Sequence, residues 1–225
     1  MKSLFFIYLF AAAAINLSAW EFNGPATRKT LYWKPFPGRF AATVAFRLNV
    51  PSAALKPAGN GTVHFYNTRY VLDIAALKDK KSTFPGIEMR FVTKNDSGNQ
   101  YGTIIVGNIG RYDLRWKHEN SEFPVDKPVW VFLMAGGGKL DACIDGRYIS
   151  HTRKMVSLPL LETSSEYRVC LGYTAWDGGS LDLKCSIDDF MIFDRVLSQE
   201  EIQKIMANPA AAKDMPGLCE LSEAR

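Results

Sequence analysis

From Thr43 onward the chain alternates apolar and polar residues with a period of two, and no other feature restricts its fold so strongly. Val44, Phe46, Leu48 and Val50 alternate with Thr43, Ala45, Arg47 and Asn49. In an extended segment this sends one set of side chains to a core and the other toward solvent. Runs at 62–66, 70–74, 87–93, 101–106, 111–117, 129–135, 140–144, 166–173, 181–187 and 189–193 read the same way. Between them stand Asn60-Gly61, Asp96-Ser97-Gly98-Asn99, Gly136-Gly137-Gly138, Asp145-Gly146 and Asp177-Gly178-Gly179-Ser180. These residues tolerate positive φ or bond to their own backbone, so they join antiparallel strands. The clearest hairpin is 140–150, with Asp145-Gly146 at its apex. Short strands at turn-marked intervals, without helices alternating between them, predict an all-β antiparallel sandwich of two sheets, with a closed barrel as the competing arrangement.

One α-helix is specified near the C-terminus. Ser198 suits the N-cap and Glu201 the returning bond of a capping box, with Leu197 and Ile202 as a hydrophobic staple. Glu200 and Glu201 sit at its positive end and Lys204 nearer the negative end. Ile202, Ile205 and Met206 form the stripe that should pack on the sandwich, and Asn208-Pro209 ends the helix.

At the other end, Lys2 is followed by an uncharged apolar run, Leu4 to Ile15, and by Asn16-Leu17-Ser18-Ala19. Charge, then apolar stretch, then small residues is an export pattern, so 1–19 is expected to be a signal peptide, 20–209 one domain and 210–225 a C-terminal tail. That implies a secreted or periplasmic protein. No later run is long enough to span a membrane. At 47% hydrophobic and 12% aromatic the chain can fill a core. Its net charge of +4 is mild and dispersed, which argues against a nucleic-acid partner. Cys143, Cys170, Cys185 and Cys219 show no Cys-x-x-Cys spacing. In an oxidising compartment their even number predicts two disulfides, with three pairings open.

The segment Ile187-Asp188-Asp189-Phe190-Met191-Ile192-Phe193-Asp194-Arg195-Val196-Leu197-Ser198-Gln199-Glu200-Glu201-Ile202 resembles the closing segment of laminin-G-like jelly-roll domains, in the concanavalin A-like lectin and glucanase superfamily. There a final Ile-Asp-Asp strand runs through x-Arg-hydrophobic-Leu-Ser into a short acidic helix. Trp130 to Met134 with the hairpin 140–146 is similar to a pair of strands in the same family; upstream of residue 128 only the strand pattern supports the likeness. The resemblance implies a jelly roll, a disulfide between Cys185 and Cys219 that leaves Cys143 with Cys170, and a calcium ion near Asp188 and Asp189. Hard carboxylates suit calcium, but six or more oxygens are needed and only these two residues can be named; bonding to neighbouring backbone is the structural alternative.

Glycan hydrolysis needs two carboxylates across a cleft. Glu-x-Asp-x-x-Glu, the strand motif of related laminarinase-type hydrolases, is absent; Glu88 stands alone, and Asp141 with Asp145 includes a turn residue. Gly-x-Ser-x-Gly and His-Glu-x-x-His are also absent, and His64, His118 and His151 are far apart. The expectation is a non-catalytic module. For binding, the loop Tyr173-Thr174-Ala175-Trp176-Asp177-Gly178-Gly179-Ser180 offers an aromatic face at Trp176 and Tyr173 with a carboxylate at Asp177, suited to a sugar ring; Trp176 packed over the sandwich edge is the alternative, and Trp116 reads as core. The expected partner is a polysaccharide or glycoconjugate. The rivals are an adhesion subunit that binds protein through a sheet face and a divergent glycan hydrolase or lyase. Asn60-Gly61-Thr62 and Asn95-Asp96-Ser97 match the glycosylation pattern, which marks surface loops.

Overall fold

The computed structural model describes residues 19–34, 41–55, 68–76, 85–92, 103–109, 112–116, 123–136, 139–150, 166–173 and 181–223. The expected signal peptide, apart from Ala19, the strand at 62–66, both glycosylation motifs and the three histidines lie outside the described residues. In chain order the strands are β1 (Trp20–Phe22), β2 (Lys29–Trp33), β3 (Ala42–Asn49), β4 (Thr68–Ala76), β5 (Pro85–Val92), β6 (Thr103–Ile109), β7 (Tyr112–Trp116), β8 (Val129–Gly136), β9 (Lys139–Ile144), β10 (Arg147–Ser150), β11 (Tyr167–Leu171), β12 (Leu181–Asp182), β13 (Cys185–Phe193) and β14 (Leu221–Glu223). They form an all-β sandwich. The smaller sheet runs β1-β13-β3-β8-β9-β10; the larger runs β14-β2-β11-β4-β5-β6-β7, with β12 beside β4. The pairing is antiparallel except for the short β12–β4 contact.

The inner faces follow the alternation. Val44, Phe46 and Leu48 of β3, with Val129, Val131 and Leu133 of β8, lie in one buried cluster with Leu31 and Trp33 of β2, Tyr167 and Val169 of β11, and Ile87, Met89 and Phe91 of β5. Trp33 and Tyr167 pack at 5.1 Å between centroids, and Phe91 meets Phe123 edge-on at 5.2 Å.

The two runs expected at 181–187 and 189–193 are largely one strand. β13 carries a register shift between Asp188 and Met191, and Asp189 has φ +50. The extra residue is a β-bulge. It lets Ile187, Phe190 and Ile192 all reach the core although their spacing is three and then two. The expected hairpin is present as β9 and β10, joined by Asp145 and Gly146 at φ +45 and +79. Positive φ at both turn residues is the geometry that matches strand twist.

The smaller sheet is also covered from outside. Helix α1 (Gln199–Ala207) has the capping box expected of Ser198 and Glu201. Ile202 and Ile205 pack with Ala45, Phe132, Cys143, Met191 and Phe193 in a second buried cluster, with Met206 against it. The joint between β13 and α1 is clamped at two points. The Thr43 hydroxyl accepts from Leu197 N at 3.0 Å and donates to Arg195 O at 2.8 Å. A buried N–H without an acceptor costs about 1–3 kcal/mol, which explains why a residue of the polar phase is fully buried here. Arg195 grips Glu201 through two bonds of 2.8 and 2.7 Å. That pair, with the Ser198 amide, holds the Glu201 carboxyl down at about 2. Its contribution is therefore full above the unfolded value near 4.5 and is lost as pH falls toward 2.

Residues 210–223 are not a loose tail. A 3-10 helix (Pro209–Asp214) begins at Asn208, whose side chain accepts from Ala210 N at 3.2 Å. Asp194 N donates to Gly217 O at 2.9 Å and Cys219 N to Ile192 O at 2.8 Å. β14 then pairs with β2, so the C-terminal chain closes one side of the sandwich across both sheets.

The expected disulfides are absent from the structure: all four cysteines are free, and the register does not bring the expected pairs together. Cys219 is bonded beside Ile192, seven residues along β13 from Cys185. That separation is on the order of 20 Å at roughly 3.3 Å per residue, against a disulfide limit near 7 Å between Cα atoms. Cys143 lies on the outward face of the smaller sheet beneath α1, whereas Cys170 takes the outward phase of the larger sheet. The core separates them. We expect the non-reduced protein to yield four alkylatable thiols by mass spectrometry once unfolded, and its melting temperature to be unchanged by reductant. A Cys185–Cys219 crosslinked peptide would contradict this register.

Candidate functional site

With α1 over the smaller sheet, the outward phase of the larger sheet is, among the described residues, the sheet face that carries partly exposed polar and aromatic side chains. It is built from the residues that alternate with the core set. Leu31 and Trp33 of β2 face inward, so Thr30 and Tyr32 face out; Val169 and Leu171 of β11 face inward, so Arg168 and Cys170 face out. On β4 and β5 the same phase gives Tyr70, Asp73, Ala75 and Arg90. Strand register aligns these in rows. Tyr32 stands opposite Arg168, and Arg168 opposite Ala75. Thr30 stands opposite Cys170, Cys170 opposite Asp73, and Asp73 opposite Glu88.

Two guanidinium groups lie over aromatic rings. Arg90 is 6.0 Å from the Tyr70 centroid, with Nη1 3.4 Å from the Tyr70 hydroxyl. Arg28 is 5.3 Å from the centroid of Tyr173. Tyr173, a residue singled out from sequence, thus belongs to this face. Gly172 turns the chain toward it at φ +77, its amide bonded to Val71 O at 2.9 Å. The Tyr173 hydroxyl then bonds the Thr30 hydroxyl and contacts the Cys170 thiol. Trp176 and Asp177, expected beside it, lie outside the described residues, as does the rest of that loop.

Burial dominates the electrostatics of this face. Burial pushes the Cys170 thiol up to about 11, against the lowering effect of the Tyr173 hydroxyl, so the thiolate is disfavoured. Burial likewise pushes the Tyr173 phenol up to about 12. Asp73 is wholly buried. It acts on Cys170 from within the sheet and presents no oxygen to solvent. Asp145 is committed to the fold, its carboxylate accepting from Trp130 N at 2.9 Å. Among the described residues, the partly exposed groups of this face are the Thr30 hydroxyl, the rings of Tyr32, Tyr70 and Tyr173, the guanidinium groups of Arg90 and Arg168 and the carboxylate of Glu166.

Asp188 and Asp189, the residues considered for calcium, are on the other sheet. At the bulge Asp189 is 4% exposed, and its Oδ2 lies 2.6 Å from Arg47 Nε. Arg47 is itself 5.9 Å from the Trp130 centroid. A guanidinium therefore supplies the positive charge next to this carboxylate. Among the described residues no group of three or more His, Cys, Asp or Glu is placed to hold a metal ion.

The sequence singled out Tyr173 from its glycine-rich loop, whereas Tyr32, Tyr70, Arg90 and Arg168, which share its sheet face, were not singled out. Their signal was available: Arg and Tyr recur on the non-core phase of adjacent strands. It needed the strand order to bring them together.

No protein-family model matches the chain, and no curated protein matches it. Solved structures do. The binding domain of botulinum neurotoxin serotype D superposes with a TM-score of 0.58 at 14% identity, covering 85% of this chain and 42% of that one. A sialidase of Trypanosoma rangeli, in complex with sialic acid, gives 0.53 at 12% identity over 76% of this chain and 23% of that one. The chain thus spans less than half of either. At these identities the likeness establishes the β-sandwich alone.

Gly172 fixes where Tyr173 lands. A Cβ there would sit 2.5 Å from Phe22 Cδ1, on a backbone that L side chains rarely adopt. Gly172→Ala is expected to cost about 1–3 kcal/mol in urea denaturation. A change below about 0.5 kcal/mol would mean that this turn does not set the position of Tyr173.

Proposed function

We propose that this chain is an exported, non-catalytic recognition module of the laminin-G-like class that binds carbohydrate on the outward face of its larger sheet. The observation that carries the reading is the set of Tyr32, Tyr70 and Tyr173 interleaved with Arg28, Arg90 and Arg168 on one sheet face. Aromatic rings stack on sugar faces, and fixed polar groups between them bond hydroxyls. Trp176 and Asp177 follow Tyr173 in sequence and are the other residues singled out for binding. The motif at Ile187–Ile202 supports the class, and the export pattern of 1–19 supports a secreted or periplasmic location.

The structural neighbours fit this reading by what they bind: one is a receptor-binding domain and the other was solved with sialic acid. Binding rather than catalysis is favoured because, among the described residues of the face, Asp73 is withdrawn from solvent and burial disfavours the Cys170 thiolate. Calcium is not needed for the site as described. Among the described residues no helix is long and apolar enough to cross a membrane.

A glycan array run on the mature protein with and without calcium tests the reading. Binding to at least one glycan class, unaffected by chelation and weakened about tenfold or more by Tyr32→Ala or Trp176→Ala at unchanged melting temperature, is expected. Silence across the array would remove carbohydrate as the ligand and leave a protein partner as the reading to pursue.

A further inference from the structure

The turn that presents Tyr173 is built against a residue from the other sheet. β1 is a three-residue edge strand of the smaller sheet, paired with β13 as Trp20 opposite Ile187 and Phe22 opposite Cys185. So short a ladder holds a strand weakly, and its two inward side chains carry the docking. The Trp20 ring packs on Phe190 at 6.0 Å between centroids, and Phe190 on Phe46 at 5.9 Å. Phe22, 2% exposed, lies in the core cluster and meets the larger sheet at Gly172, the residue after β11. A Cβ built on Gly172 would lie 2.5 Å from Phe22 Cδ1, 3.1 Å from Cγ and 3.2 Å from Cε1. The ring therefore fills the space that a side chain at position 172 would need.

Gly172 has φ +77, and its amide donates to Val71 O at 2.9 Å. Glycine enters other backbone regions about as readily as this one, so its surroundings choose the conformation: the Val71 carbonyl and the Phe22 ring. Tyr173 follows. Its hydroxyl bonds that of Thr30, and the Arg28 guanidinium lies 5.3 Å from its ring centroid. Those contacts hold the far end of the side chain, whereas the turn decides the point from which it starts. A hydroxyl bond at a half-buried site exchanges with water at little net cost, so it follows the backbone and does not fix it.

We propose that Phe22 is a positioning residue for the binding face: its ring, seated against Gly172, sets where Tyr173 stands, although it is itself buried away from any ligand. This rests on the carbohydrate reading above and adds to it a residue of the opposite sheet. Without the ring Gly172 is free to leave φ +77, and Tyr173 moves away from Thr30 while the sandwich stays folded, because β1 is an edge strand.

Fluorine NMR of protein labelled with 3-fluorotyrosine reads the surroundings of Tyr173, its resonance assigned by its loss in Tyr173→Phe. Titration with a glycan bound on the array reads the consequence. Phe22→Ala is compared with Leu133→Ala, which removes buried apolar volume from β8, a strand paired with neither β1 nor β11. The Tyr173 resonance is expected to shift or split in Phe22→Ala and to stay in place in Leu133→Ala. Glycan affinity should fall about tenfold or more in the first and less than about twofold in the second. Phe22→Leu, which keeps most of the buried apolar side chain, should give a smaller displacement in the same direction and carries the test if Phe22→Ala fails to fold. An unmoved Tyr173 resonance in the folded Phe22 variant, an equal displacement in Leu133→Ala, or a displaced resonance with unchanged glycan affinity each overturns this proposal and leaves the carbohydrate reading standing. An array on which the unsubstituted protein binds nothing removes the carbohydrate reading and this proposal with it.

Discussion

The structure depends on one asymmetry: the smaller sheet carries apolar residues on both faces and takes a helix over its outer one, whereas the outward phase of the larger sheet mixes polar residues with a buried centre at Asp73, Ala75 and Cys170. Two β-layers alone would each keep an outward face. Here β3 and β8 carry apolar residues on both phases, Val44 and Phe46 with Ala45, and Val131 and Leu133 with Phe132. Such strands need a third layer. Helix α1 supplies it, and the Thr43 hydroxyl and the Arg195–Glu201 pair hold the helix at the angle that seats Ile202 and Ile205. Loss of that clamp would expose Phe132, Met191 and Phe193 together.

The location of the site follows. With one outward face closed by α1, polar residues that the alternation places outside the core gather on the other. The rows Tyr32–Arg168–Ala75 and Thr30–Cys170–Asp73 arise because β2, β11 and β4 are neighbours in space though distant in sequence. Rigid β-pairing holds their spacing. Cys170 and Asp73 of the second row are buried, whereas Tyr32 and Arg168 of the first are partly exposed.

Much of the architecture was legible because its causes are local. The capping box of α1 lies within four consecutive residues, Ser198 to Glu201, and the Asp145-Gly146 turn needs only its own φ preferences. The period of two places Val44, Phe46 and Leu48 correctly for the same reason. What escaped was set by distant partners. β1 and β14 are three-residue edge strands whose pairing with β13 and β2 leaves no periodicity to read. The bulge at Asp189 hid as a break between two strands, although Ile187-x-x-Phe190-x-Ile192 encodes it. The cysteine pairing was not legible because cysteine count and family likeness carry no information about which end of β13 the chain returns to. At the site, Tyr173 could be picked from its turn-rich surroundings, whereas Arg168 acquires its meaning only from the strands on either side of it.

Hydroxyl-radical footprinting of the native protein, read residue by residue by mass spectrometry, tests the asymmetry most directly. The account predicts that Tyr32, Tyr70 and Tyr173 are modified well before Met134, Met191, Phe132 and Phe193, despite the high intrinsic reactivity of methionine sulfur, because α1 shields the smaller sheet. Early oxidation of Met134 and Met191, with the three tyrosines protected, would mean that the larger sheet is the covered one and would contradict the account.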